Sequence, residues 1–96
     1  MARITVSHQT GSIYDVAVED SRSTSTHMVT VWPSDVERYA PDATPEELIE
    51  ASFEFLLARE PKEAIMARFE LPVIERYFPE YQGLIGELVE RRRDEA

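Results

Sequence analysis

The hydrophobic period of this chain changes once, and the change falls at Pro33. Before it, apolar and polar residues alternate. Ile4 and Val6 stand among Arg3, Thr5 and Ser7, and Tyr14, Val16 and Val18 stand among Asp15, Ala17 and Glu19. Successive side chains of a strand point to opposite faces, so period two with β-branched residues predicts strands buried on one side. A third run, His27–Trp32, sets Val29 and Val31 on one face and Met28, Thr30 and Trp32 on the other. Gln9-Thr10-Gly11-Ser12 supplies a glycine for positive φ, which predicts a hairpin between the first two runs. The link Asp20–Thr26 holds five Ser/Thr among seven residues and no apolar anchor, which predicts a mobile loop over 20–26.

From Pro33 onward the spacing is helical. Ser34 with Glu37, and Thr44 with Glu47, have the spacing of capping boxes. Pro45 falls at a first helical position, where its missing N–H costs nothing. The helix it opens, over about 45–59, turns Leu48, Ile49, Ser52, Phe53, Leu56 and Leu57 to one side and Glu46, Glu47, Glu50, Glu54 and Arg59 to the other. Pro61 and Pro72 read as first-turn prolines of short helices over about 61–69 and 72–78. Pro79 then opens a last helix to about Arg93, with Tyr81, Leu84, Ile85, Leu88 and Val89 at helical spacing.

These elements predict one α+β domain over residues 1–96. A three-stranded, mainly antiparallel sheet (1–32) precedes an acidic helical layer of three to five helices (33–96), with the sheet packed on Leu48, Phe53, Leu56 and Leu57. A chain of 96 residues suits a single domain, and 43% hydrophobic residues are too many for wholesale disorder.

The net charge of −9 argues against a domain that binds by neutralising phosphates, and sixteen of the nineteen acids follow residue 32. Acidic helices instead favour a basic protein partner, drawn in by electrostatic steering. No apolar run approaches the roughly 18 residues of a membrane span, and Met1–Gln9 has no signal-peptide core, so a cytoplasmic protein away from membranes is expected. With no cysteine, disulfides, thiolate metal sites and cysteine nucleophiles are excluded.

Catalytic constellations are sparse. His8 ends one strand and His27 begins another, where the fold could join them to Asp15 or Glu19. No His-x-x-x-His, His-x-His or Glu-x-x-His spacing enforces a metal site, so neither metal nor cofactor is expected. Ser7 and His8 are strand neighbours facing opposite ways. The three glycines form neither a nucleophile elbow nor a phosphate loop. The carboxylate pairs Glu46/Glu50 and Glu50/Glu54 lie on a solvated face, where nothing raises a pKa for acid catalysis.

The densest aromatic cluster is Arg76-Tyr77-Phe78-Pro79-Glu80-Tyr81. Aromatic and arginine anchors dominate protein–protein hot spots, which makes Arg76, Tyr77, Tyr81 and the lone Trp32 the candidate partner-binding residues. A core role competes, with Phe78 and Tyr81 packing the last helix onto 45–59 and Trp32 closing the core at its strand end. Tyr77 outward and Phe78 inward would serve both. Arg91-Arg92-Arg93, flanked by Glu87, Glu90, Asp94 and Glu95, suits the negative end of a helix dipole.

Residues 27–59 resemble a ribbon-helix-helix module: Met28-Val29-Thr30-Val31, then Pro33–Tyr39, then a helix opened by Thr44-Pro45-Glu46-Glu47-Leu48-Ile49. The resemblance implies a strand paired with its twin in a dimer, reading DNA through outward side chains. Here those would be Met28, Thr30 and Trp32, with no Lys or Arg among them. Glu46–Phe53 and Ile74–Tyr81 are similar to a group of small bacterial proteins with no assigned activity, which implies a bacterial setting. A non-enzymatic interaction or accessory protein, antitoxin-like and open to homodimerisation, is the leading expectation. A dimeric DNA-binding regulator comes second, and an enzyme using His8, His27 and Asp15 third.

Overall fold

The computed structural model describes residues 2–95. Strand β1 (Arg3–Thr10) and strand β2 (Ile13–Glu19) form the expected hairpin, with Ile4 opposite Val18 and Val6 opposite Val16. Gly11 sits at φ 53°, a left-handed conformation that its missing Cβ makes inexpensive. Strand β3 (Thr24–Thr30) pairs antiparallel to β2, starting at the Glu19–Thr24 pair. The hydroxyl-rich link expected to be a loop over 20–26 is therefore only residues 20–23. Thr24, Ser25 and Thr26 belong to the strand, where β-branched threonine is at home and the β2 ladder takes up their backbone groups. Asp20 organises the short turn by accepting the Arg22 and Ser23 amides at 2.8 and 3.0 Å.

Helix α1 (Pro33–Tyr39) begins with Pro33 at its first position, and the Asp35 carboxylate reaches back to the Trp32 amide at 2.8 Å. The cap is thus Trp32/Asp35, two residues before the expected Ser34/Glu37 pair. Helix α2 (Pro45–Leu57) has the expected Thr44/Glu47 box, bonded in both directions at 2.9 and 3.1 Å.

The sheet is not the three-stranded antiparallel one expected. A fourth strand, β4 (Arg68–Glu70), follows α2 and lies parallel to β3, giving the mixed order β1-β2-β3-β4. The helix expected over 61–69 is a single 3-10 turn, Lys62–Ala64, and then this strand. The outer edge of β3 explains the difference. Its N–H and C=O groups need partners, and residues 67–71 supply them: Met28 donates to the Ala67 carbonyl at 2.8 Å and Leu71 donates to Thr30 at 3.0 Å. Pairing with β2 and β4 leaves Met28–Thr30 no free edge, so the twin pairing of a ribbon-helix-helix dimer has nowhere to form.

Helix α3 (Val73–Tyr77) and helix α4 (Tyr81–Glu95) complete the chain. α2 lies between β1 and α4 and is buried nearly all round, including Ala51 and Phe55 on the side its stripe left outside. One core holds Val16, Val18 and Val29 of the sheet, Leu48, Ile49, Phe53 and Leu56 of α2, and Ile74, Tyr81, Ile85 and Val89 beyond it. The helices cover one face of the sheet, while Thr5, Ser7, Asp15, Thr26 and Arg68 on the other are exposed.

Candidate functional site

The histidines and Asp15 are not brought together. Val16 faces Val6 and His27 across the sheet, and Tyr14 faces His8, so both histidines share the helix-side face. Asp15 opposes Ser7 and Met28 on the other face. His27 is buried, its Nδ1 2.8 Å from the Met66 carbonyl oxygen and its Nε2 2.8 Å from the Ser25 hydroxyl. Its ring packs 5.3 Å from Phe53. It therefore fastens the approach to β4 onto β3. His8 is exposed and bonds the Gly11 carbonyl of its own hairpin at 2.7 Å. Among the described residues no group of His, Asp and Glu has metal-binding geometry.

Part of the acidic surface of the helices is engaged within the fold. Arg92 pairs with Glu54, and Arg93 pairs with Glu47 at 2.8 Å while also donating to the Asp42 carbonyl at 2.6 Å. The arginines at the end of α4 thus fasten it along α2. The Arg93 hydrogen bonds, with the Thr44 amide, hold the Glu47 carboxyl down at about 2. Lys62 is a buried cation that no local pattern singles out. Its ammonium donates to Asp20 at 2.8 Å and to Glu63, pinning the β2–β3 turn. That bond and the two turn amides hold the Asp20 carboxyl well below the usual range.

The aromatic cluster divides between inside and outside. Tyr81 is wholly buried, 5.3 Å from Phe55 and 5.1 Å from Tyr39, so it cannot meet a partner. The first residue of α4 is turned in because α2 lies directly against that end of the helix. Tyr77 is 68% exposed, Arg76 is exposed, and Phe78 is half-buried in a T-shaped contact with Phe55. Trp32 is half exposed and donates from its indole to Glu70 at 3.3 Å.

Beside Tyr77 lies an apolar groove of about 230 Å³, lined by Leu56, Ile65, Met66, Phe69, Ile74 and Phe78, with Glu60 at its rim. Met66 is 40% exposed, and among the described residues no ion pair engages Glu60. Reading 61–69 as helix hid Ile65, Met66 and Phe69 as groove residues. The signal was present as Ala67, Phe69 and Leu71 alternating with Arg68 and Glu70.

No protein-family model matches the chain, and neither a curated protein nor a solved structure matches it.

Proposed function

We infer that this chain is a non-enzymatic interaction domain that receives an apolar, basic segment of a partner protein in the groove beside Tyr77. The observation that carries this reading is an exposed tyrosine and an exposed methionine flanking an apolar groove, with the Glu60 carboxylate at its rim. A rigid aromatic beside a desolvated pocket is the usual form of a binding hot spot. Methionine adapts its shape to whatever enters. Glu60 favours Lys or Arg flanking the inserted apolar residue, which adds one specific rim contact to the basic character expected of the partner. An accessory or antitoxin-like role fits this reading, with the partner's own activity modulated by occupancy of the groove.

Selection of peptides from a random display library on the immobilised full chain tests it. The expected consensus is one large apolar residue next to Lys or Arg, with binding lost in Tyr77→Ala and the basic preference lost in Glu60→Gln. Enrichment indifferent to both substitutions would place the interaction elsewhere.

A further inference from the structure

We propose that the uncovered face of the sheet is the contact between two copies of this chain, related by a two-fold axis that runs along β3. Ser7, Asp15, Met28 and Arg68 stand opposite one another in a single row across the four strands. Asp15 and Arg68 therefore flank Met28 at one strand spacing on either side, about 4.8 Å each way. Both charges are exposed, and among the described residues neither has an ion-pair partner.

A row reading minus, apolar, plus is self-complementary. Rotation by half a turn about a line along β3 sets Asp15 over the second copy's Arg68, Arg68 over its Asp15, and Met28 over its own twin. Such an isologous contact closes at two copies. It also lets the two sheets pack in the aligned arrangement, about 10 Å apart. Thr30 and then Trp32 continue the line of Met28 toward one end of the strand, so the half-exposed Trp32 also lies near its twin. The shallow trough of about 460 Å³ on this face is lined by Asp15, Met28 and Arg68 together with small residues such as Thr5, Ala17 and Thr26, which let the second sheet approach. The groove beside Tyr77 opens among the helices on the other side and stays free in the dimer.

One row of side chains across four short strands makes a contact smaller than the roughly 800 Å² per partner of a standard stable complex, so the dimer is a weak one. Light scattering after size exclusion across a concentration series, at about 0.15 M salt to limit long-range repulsion between acidic chains, reads it directly. Wild type is expected to pass from monomer to dimer with rising concentration, with a blue shift of Trp32 emission. Asp15→Arg and Arg68→Asp each place like charges together at both ends of the row, and each raises the dissociation constant by about tenfold or more. Both positions are exposed, so folding tolerates the changes. Mixing the two variants sets the introduced arginine of one over the introduced aspartate of the other, and the native Arg68 over the native Asp15, which restores a heterodimer. A chain that stays monomeric at every concentration overturns the proposal, as does a dimer indifferent to both reversals.

Discussion

Tyr81 of α4 and Ser52 of α2 meet through a 2.6 Å hydrogen bond between fully buried hydroxyls. Ser52 donates its own proton to the Leu48 carbonyl at 2.6 Å, so it is Tyr81 that donates across the interface. This one bond satisfies the only polar atom that the Tyr81 side chain brings into the core.

The direction of that bond predicts unequal costs. Ser52→Ala strands a buried phenol and should lower stability by about 1–3 kcal/mol, whereas Tyr81→Phe removes the phenol itself and should cost about 1 kcal/mol. The double variant should be clearly less destabilised than the sum of the two, because nothing is left unpaired. Urea unfolding of all four proteins measures this, and strict additivity would mean that the two hydroxyls do not interact.

Tyr77 and Tyr81 stand four residues apart and should behave as opposites. Tyr81→Ala opens a cavity at the α2–α4 contact and should cost about 3–5 kcal/mol. Tyr77→Ala should leave stability within about 0.5 kcal/mol while abolishing peptide binding in the groove. Thermal unfolding read alongside binding separates the two roles.

Acid should loosen α4 from α2. The Glu47 carboxyl is held at about 2 by Arg93 and the Thr44 amide, below its ordinary value of 4.5. A depressed carboxyl contributes stability that is fully present above pH 4.5 and lost as pH falls through 2. Arg93→Ala should therefore lower Tm at neutral pH, and the gap from wild type should narrow as pH drops from 4.5 toward 2. A gap constant with pH would mean that Arg93 acts through packing alone.

Alkali should act through Tyr39. Burial, then the hydrogen bond its hydroxyl donates to Glu75 at 2.7 Å, pushes its pKa up to about 12 from the ordinary 10.0. A raised phenol contributes stability that is complete below pH 10 and lost as pH climbs through 12. Ultraviolet titration should show Tyr39 ionising late in wild type and earlier in Glu75→Gln, where no carboxylate repels the phenolate. An unchanged titration would mean that burial alone holds the phenol.

The fourth strand shows where local pattern ends. A period needs several residues to declare itself, and β1, β2, α2 and α4 each supply seven or more. β4 is three residues with one inward side chain, Phe69, and it exists because β3 presents backbone groups that must be paired. The same distinction separates the candidate residues. Trp32, Arg76 and Tyr77 lie on the surface. Tyr81 takes the core role that competed for it, packed on α2 through Ser52 and Phe55, and Phe55, outside the stripe of α2, is buried by the rings of Phe78 and Tyr81.

By itself, then, the sequence determined the hairpin, the third strand, the helices that begin at or just after Pro33, Pro45, Pro72 and Pro79, and the Thr44/Glu47 cap, since each follows from side-chain period and backbone donors within one segment. The tertiary structure alone decided the parallel strand, the dispersal of His8, His27 and Asp15 over two faces, and the groove beside Tyr77. Each of these depends on which segments meet, and that is settled by the pairing of open strand edges and the burial of apolar surface far apart in the chain.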